Sequence, residues 1–237
     1  AWKSRSLPGF FFVKNECAIF IPARGGSKGL KNKNLKSFAS KPLLFWSIKQ
    51  AKNTKFKNHI YVSSDSKRIL NYADKCSVNT VKRPKNISGD NSSTEEAIIH
   101  FLNTIKKKYN YVILLQPTSP LRYSKDIENS YLQIKRDKKN SLFSGNYFSD
   151  LMIWSKNKKL KSINYDVKNR KRRQDHKGTI IENGSIYVFK SKYILENLNR
   201  IDLESVSYYK MKTLQFLEID DLNDFKLCEK VFINKLY

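Results

Sequence analysis

The stretch CAIFIPARGGSKG, residues 17–29, decides the fold class of this 237-residue chain. Its first seven residues form a short apolar run closed by proline, which predicts a buried strand. Glycines and basic residues follow at once, so the strand runs directly into a glycine-rich loop. In α/β proteins ligands bind beyond the carboxyl ends of the strands, and this loop is therefore the first candidate for a binding site.

The same alternation of strand and helix continues along the chain. Apolar residues at near-helical spacing predict a first helix over 42–52, with proline in its first turn. Further strands are predicted at 59–63, 78–81, 111–115, 185–190 and 213–220, and further helices at 66–74, 93–107, 126–136 and 221–235. Strands that alternate with helices indicate right-handed crossovers and a mostly parallel sheet. We predict one α/β domain over residues 16–237.

Two segments do not fit this alternation. Residues 1–15 match no regular pattern and are treated as a leader of unknown status. Residues 141–178 mix short β-like runs with the basic stretch 168–173, and we predict that they leave the main sheet as an excursion.

The composition bounds the partners of the protein. A formal net charge of +25 points toward nucleic acid, an anionic membrane or an anionic substrate. The basic residues do not form one block, however, and no apolar stretch of about 18 residues exists to span a membrane. Cys17, Cys76 and Cys228 lie far apart and form no metal or disulfide pattern, which indicates a reducing compartment. We predict a cytoplasmic protein without a membrane or nucleic-acid partner.

The loop RGGSKGLKNKN, residues 24–34, carries groups suited to phosphate chemistry. It combines three glycines with four cationic side chains and one hydroxyl. Glycines let backbone N–H groups approach phosphate oxygens, and Arg and Lys offset charge that shifts during phosphoryl transfer. The loop matches neither the Walker A nor the GxGxxG pattern. We predict a nucleoside triphosphate site here, with a solvated basic turn as the alternative.

A pair of carboxylates near the end of the chain predicts a metal site. Glu218 and Asp220 lie two apart in the predicted strand 213–220, so both side chains would point to the same face. Mg²⁺ is usually held by one or two carboxylates together with substrate phosphates, which makes Mg²⁺ the predicted cofactor. A solvated acid pair is the alternative. Asp221 and Asp224 are better explained as N-terminal caps of the last helix.

Two further polar segments lie next to predicted strands. The proline-stiffened loop QPTSPLR, residues 116–122, follows the strongest predicted strand and should line the same cleft, unless it is a plain turn. Asn183 and Gly184 are typical of a hairpin turn.

Six motifs occur in order along nearly the whole chain from residue 18. They are IPARGGSKGLKNKNL (21–35), KPLLFWSI (41–48), VSSD (62–65), LLQPTSPLR (114–122), NGSIY (183–187) and EIDDLNDF (218–225). Taken together, this set resembles the CMP-sialic acid synthetases, the acylneuraminate cytidylyltransferases. The resemblance implies a three-layer, Rossmann-like nucleotidyltransferase fold and a homodimer formed through the excursion 141–178. It also implies transfer of CMP from CTP to the anomeric hydroxyl of a nine-carbon 2-keto sugar acid, with Mg²⁺ and release of pyrophosphate.

Carried over position by position, the resemblance implies a role for each matching residue. The nucleotide would be held by Arg24, Ser27, Lys28, Lys33, Asn34, Arg83 and Thr94. The acidic sugar would be held by Gln116, Arg173, Gln174 and Asn183. The metal would be held by Glu218 and Asp220, and Arg24, Lys33 and Asp220 would form the catalytic set.

This sequence departs from the family pattern at positions that bear on the substrate. Glu218 stands where the family usually has Asp, which keeps the charge but lengthens the side chain. Residues 174–182 lack prolines often seen in the family, so sugar identity stays open. Gly29, where the pseudaminic acid enzymes tend to carry Arg, favours a sugar of the N-acetylneuraminic or legionaminic type. Alternatives are a Kdo or hexose-1-phosphate nucleotidyltransferase and, in a different class, a nucleic-acid-binding surface at 170–173.

Overall fold

A seven-stranded sheet forms the centre of the protein in the computed structural model. The structure describes residues 16–26, 29–156, 159–176 and 178–237, with all of their side chains except that of Arg173. Predictions made for residues 1–15, Ser27 and Lys28 therefore lie outside the described residues. The strands are β1 (Cys17–Pro22), β2 (Ser37–Phe38), β3 (Lys41–Pro42), β4 (Ile60–Ser64), β5 (Asn79–Lys82), β6 (Tyr111–Leu115), β7 (Ser141–Phe148), β8 (Trp154–Lys156), β9 (Leu160–Ser162), β10 (Thr179–Lys190) and β11 (Val206–Lys210). The central sheet has the order β11-β7-β10-β6-β1-β4-β5, while β2–β3 and β8–β9 are separate two-stranded hairpins.

The central sheet is mostly parallel, as predicted. Strand β1 pairs in parallel with β4 and β6, β4 with β5, and β7 with β11. Only β10 runs antiparallel to its neighbours β6 and β7 within the described sheet. The carboxyl ends of β1, β4, β5 and β6 consequently meet at one edge, which is where a ligand is expected.

Helices cover both faces of the sheet and give it three layers. They are α1 (Leu43–Lys52), α2 (Lys67–Lys75), α3 (Thr94–Thr104), α4 (Ser124–Asp137), α5 (Ser191–Asn197) and α6 (Leu222–Ile233). Ile19 and Ile21 of β1 pack with α1, α2 and α4, whereas Ala18 and Phe20 pack with α3 and α5. Since alternate residues of a strand face opposite sides, both faces of β1 are buried. This explains why β1 is a continuous apolar run and does not alternate with polar residues.

The predicted strand at 213–220 is wrong. Thr213–Phe216 form a 3-10 turn, and the segment 217–220 that leads into α6 has no regular structure. Gln215 explains the turn, because its buried side chain accepts a bond from the Lys212 amide (2.8 Å) and donates one to Asp126 (2.9 Å). The last strand of the sheet is β11, which the sequence pattern missed.

The excursion is shorter than predicted at its start. Residues 141–148 form β7, which lies inside the central sheet between β10 and β11 and buries Leu142 and Ser144. The chain leaves the sheet only after β7 and returns with β10, and the hairpin β8–β9 lies between them. The rest of the prediction, that this excursion forms a dimer contact, concerns a second copy and stays a prediction.

The predicted hairpin turn at Asn183 and Gly184 is also wrong. Both residues lie within the twelve-residue strand β10, at an irregularity of the pairing with β7 between Glu182 and Tyr187. Gly184 has φ +63°, and a Cβ there would lie 2.9 Å from a carboxylate oxygen of Glu218. Glycine is therefore used for a bulge in a long strand and not for a turn between two strands.

Two further features concern the cysteines and the length of the helices. Cys17, Cys76 and Cys228 are all unpaired. No helix in the described part of the chain is long and apolar enough to cross a membrane.

We predict that Gly184→Ala lowers the free energy of unfolding by about 2 kcal/mol, because alanine is strained at positive φ and its methyl group would meet Glu218. Urea unfolding followed by circular dichroism measures the change. Gly26→Ala is the control, since a Cβ there meets no atom within 4 Å. Equal stability of the two variants would show that the bulge does not need glycine.

Candidate functional site

A cleft of about 440 Å³ opens at the edge where the parallel strands end. The residues that line it come from the end of β1, the glycine-rich loop, the segment after β5, the start of α3, the loop after β6 and the segment before α6. They are Pro22, Arg24, Gly29, Lys33, Asn34, Arg83, Gly89, Asp90, Ser92, Ser93, Thr94, Gln116, Pro117, Thr118 and Asp220. Seven of the predicted site residues therefore line one cavity, although they are spread over almost two hundred positions of sequence: Arg24, Lys33, Asn34, Arg83, Thr94, Gln116 and Asp220.

The side chains of Asp65 and Asn34 hold the glycine-rich loop in place. The Gly25 amide donates to Oδ1 of Asp65 at 2.8 Å, just beyond the end of β4. Asn34 donates to the Arg24 carbonyl at 3.0 Å, so the two ends of the loop are tied to each other. The Gly25 N–H is thus used within the protein and is not directed at a phosphate. Asp65, for which no role was predicted, is the residue that uses it.

Arg24 reaches from this loop across the cleft. Its Nη1 donates to the Gly89 carbonyl at 2.9 Å and lies 3.0 Å from Oδ1 of Asp90. The Arg24 side chain is 31% exposed, so the guanidinium is held at the wall of the cleft while part of it faces solvent. An anionic ligand could exchange with Asp90 as the partner of this charge.

Arg83 is a second cation of the same cleft, and it is buried. Its Nε donates to the Ser63 hydroxyl at 3.2 Å and its Nη2 to the Ser63 carbonyl at 2.9 Å. Burial lowers the pKa of the Arg83 guanidinium; the charge of Asp65 opposes this shift, and the like charge of Arg24 adds to it. An anion that lies near both Arg24 and Arg83 would stabilise their charges, because it offsets the burial of Arg83 and the repulsion between the two guanidinium groups.

Lys33 is packed against the segment before α6. Its Nζ donates to the Ile219 carbonyl at 2.7 Å and lies 3.8 Å from Oδ1 of Asp220. The side chain of Lys33 is 12% exposed, whereas that of Asp220 is 82% exposed. At Gly29 a Cβ would overlap the Asp220 carbonyl oxygen, so only glycine lets the loop approach this closely. The loop and the acid pair therefore form one wall.

The predicted metal ligands lie at this wall, although in an irregular segment instead of a strand. Thr118 donates its hydroxyl to Oε1 of Glu218 at 2.7 Å, and its carbonyl accepts from the Ile219 amide at 2.9 Å. Burial raises the pKa of the Glu218 carboxyl; the Thr118 hydrogen bond opposes this shift, and the charge of Asp220 adds to it. A cation near both carboxylates would offset the burial and the repulsion together.

The donor set fits Mg²⁺. Within the described ranges no group of three or more His, Cys, Asp or Glu side chains could hold a metal ion. Mg²⁺ characteristically takes one or two carboxylates and completes its shell with water and phosphate oxygens. Glu218 and Asp220 are the residues that would hold it. Asp221 instead caps α6 by accepting from the Asn223 and Asp224 amides, which confirms its predicted role.

Of the four residues predicted to bind the sugar, Gln116 lines the cleft, whereas Asn183 and Gln174 do not. Asn183 is 3% exposed, and its side chain accepts from Ser144 at 2.6 Å and donates to Asn146 at 2.9 Å. A sugar contact would have to break these bonds, so the structure assigns Asn183 to shaping β10. Gln174 is exposed on the excursion, outside the cleft, and the side chain of Arg173 is not among those described.

A helix was predicted to begin at Ser93, but only Thr94 of its first turn was predicted to take part in the site. A sequence signal existed for the rest of that turn. Ser93 accepts from the Glu96 amide at 3.1 Å and donates its own amide to Glu96 at 2.7 Å, which is a capping box. The Ser-x-x-Glu spacing is visible in the sequence. It places the positive end of the helix dipole at the cleft, where anions are favoured.

Comparison with known proteins agrees with this geometry. The family model described as cytidylyltransferase matches residues 18–237. N-acylneuraminate cytidylyltransferase A of Danio rerio is 30% identical over 218 residues, which are 90% of this chain and 50% of that protein. Pseudaminic acid cytidylyltransferase of Campylobacter jejuni is 34% identical over 140 residues, which are 57% of this chain and 60% of that protein.

A solved structure shows the same fold. It is a CMP:2-keto-3-deoxy-manno-octonic acid synthetase in complex with CTP, and it superimposes with a TM-score of 0.69 at 13% identity, over 93% of this chain and 100% of that chain. This chain spans about half the length of the Danio relative. Because the family model matches almost the whole described chain, the protein belongs to the cytidylyltransferase family, as its resemblance to the CMP-sialic acid synthetases predicted.

Proposed function

We propose that this protein transfers CMP from CTP to the anomeric hydroxyl of a sialic-acid-like nine-carbon sugar acid and releases pyrophosphate. The observation that carries the proposal is the cleft itself, in which Arg24, Arg83 and Lys33 line the same cavity as Asp220 at the carboxyl edge of a parallel sheet. The names of the relatives support the reaction class, and the solved synthetase of the same fold is a complex with CTP.

The residues of the cleft suit this reaction. The sugar oxygen attacks the α-phosphorus of CTP, the bond from that phosphorus to the pyrophosphate oxygen breaks, and the hydroxyl proton is lost to solvent or a base. No covalent enzyme intermediate is needed, because the enzyme has to bring two anions into line and offset the charge of the transition state. Arg24 and Arg83 would bind phosphate oxygens, and Lys33 would keep the loop against Asp220. Mg²⁺ held by Glu218 and Asp220 would neutralise further phosphate charge.

For the sugar we propose the N-acetylneuraminic or legionaminic type. Gly29 supports this choice, because the pseudaminic acid enzymes that the chain resembles tend to carry Arg at this position, and a Cβ there would overlap the Asp220 carbonyl in this loop. The relative named for pseudaminic acid makes that sugar the second candidate.

The substrate is tested by pyrophosphate release from CTP and Mg²⁺ with N-acetylneuraminic, legionaminic, pseudaminic and Kdo sugars and with glucose 1-phosphate. We expect release with N-acetylneuraminic or legionaminic acid and none without sugar, because the cleft supplies cations for an acidic acceptor. Release with pseudaminic acid alone would overturn the choice of sugar. Release with glucose 1-phosphate alone would overturn the reaction.

We predict that Arg24→Ala and Asp220→Ala each lower kcat by about 100-fold or more, since the first removes a cation proposed to bind the phosphates and the second a proposed ligand of Mg²⁺. Steady-state kinetics with the preferred sugar measure the loss, and circular dichroism checks the fold. Glu204→Ala is the control, because it removes an exposed charge in a turn outside the cleft. Unchanged kcat in Asp220→Ala at limiting Mg²⁺ would contradict the metal assignment.

We also propose that a second copy of the chain covers the excursion. Trp154, Leu160, Ile163 and Val167 expose large apolar side chains on or beside the hairpin β8–β9, and Leu160 is 69% exposed. Several exposed apolar side chains in one short segment are unfavourable in water, and such surfaces are characteristic of association sites. The basic residues 168–173 follow directly and would lie at the edge of such an interface.

Analytical ultracentrifugation tests this proposal. We expect the mass of a dimer for the wild type and of a monomer for Leu160→Asp, because a buried carboxylate would oppose association. Leu203→Asp is the control: Leu203 is 83% exposed and lies outside the excursion, so its substitution should leave the dimer intact. A wild-type protein that is monomeric at micromolar concentration would contradict the proposal.

A further inference from the structure

Arg122 is a fully buried cation that the function proposed above does not use. It is 1% exposed and lies at the end of the loop 116–122, beneath the cleft and not in it. Burial lowers the pKa of its guanidinium to about 9, and the charges of Asp126 and Glu218 oppose that shift. Because a buried charge is costly, its presence needs a reason beyond filling space.

The N–H groups of the guanidinium join three separate parts of the fold. Nε donates to Gln50 Oε1 at 3.0 Å, and Nη2 donates to the Ser47 hydroxyl at 2.6 Å, both on α1. Nη2 also donates to the Gln116 carbonyl at 2.7 Å, at the start of the substrate loop. Nη1 donates to the carbonyl and the hydroxyl of Ser185 in β10, at 2.8 and 3.2 Å. All of these acceptors are neutral.

Two of the three segments tied to Arg122 also lie against Glu218. In the loop, Thr118 lies two residues after Gln116 and donates to Oε1 of Glu218. In β10, Gly184 precedes Ser185 directly, and its Cα lies so close to Glu218 that a Cβ would be 2.9 Å from the carboxylate. Displacing either anchor of the guanidinium would therefore move a neighbour of the proposed metal ligand.

We propose that Arg122 is a positioning residue that holds the loop 116–122 and the bulge of β10 against each other, and thereby keeps Glu218 at the cleft. The inference rests on the proposed function for its catalytic consequence. A lysine could not replace Arg122, because an ammonium has three donors on a flexible stem and lacks the planar fork that reaches three segments at once. Arg24 and Arg83, which are proposed to bind the triphosphate, instead donate hydrogen bonds to Gly89 and Ser63.

Arg122→Lys should separate catalysis from nucleotide binding. We expect kcat to fall by about 100-fold, as a displacement of about 1 Å in a catalytic group can cause, while the KM for CTP changes by less than about three-fold. Hydrogen exchange should rise at the Ile219 amide, which donates to the Thr118 carbonyl, and stay unchanged in α3. A variant with wild-type kcat and only a lower Tm would overturn the proposal.

A matched pair of milder variants keeps the test decisive if Arg122→Lys does not fold. Ser47→Ala removes one acceptor of the guanidinium from a helix residue outside the cleft, and it should lower kcat several-fold. Ser130→Ala is the control, because Ser130 is an equally buried helix serine that donates to the Ile127 carbonyl of its own helix. Equal kcat in the two variants would overturn the proposal.

The same variants show whether the role proposed for Arg122 holds even if the proposed function fails. If the wild type releases no pyrophosphate with any sugar of the panel, the function fails. Hydrogen exchange at Ile219 in Ser47→Ala against Ser130→Ala then still decides the role of Arg122: faster exchange in Ser47→Ala alone supports it, and equal exchange overturns it.

Discussion

Burial of the central strands on both faces is the constraint on which this structure depends. Strands β1 and β6 carry helices on either side, so their side chains have to be apolar along their whole length. Polar and charged groups can appear only where these strands end. The carboxyl ends of the parallel strands meet at one edge, and the predicted site residues that line the cleft are gathered there.

The charges at that edge are arranged around the cleft before any ligand binds. Arg24 is held by Asp90 and the Gly89 carbonyl, and Lys33 by the Ile219 carbonyl. Fixed dipoles and charges that need no rearrangement stabilise a developing charge more effectively than mobile ones do. The two carboxylates have the reverse requirement, since a cation near both would offset the burial of Glu218 and its repulsion by Asp220. Under the proposed function, this cavity would bind the anionic triphosphate together with Mg²⁺.

Arg122 connects this cleft to the rest of the fold. A hydrophobic side chain would be less costly to bury in its place, but it would not define the distance between α1, the substrate loop and β10. The guanidinium does so, because its donors lie in one plane and each nitrogen has a partner. The two carboxylates need this support, since they lie in a segment without regular secondary structure of its own.

Local sequence determined the elements whose signals are local. The strand β1, the glycine-rich loop after it, the alternation of strands and helices, and the cap of α6 at Asp221 were all predicted from residues close in sequence. The family resemblance added the roles of Arg24, Lys33, Arg83 and Gln116, which the structure brings to one cleft. Tertiary structure alone decided the features that depend on contacts between distant residues. Asn183 and Gly184 have the composition of a hairpin turn, yet β7 pairs along that stretch and Ser144 and Asn146 bind the Asn183 side chain, so the chain continues as one strand. The segment before α6 has the composition of a strand, but the bonds of Gln215 make a turn there, and Thr118 anchors Glu218 and Ile219. In both places a polar side chain found its partner tens of residues away, and no local pattern can contain that information.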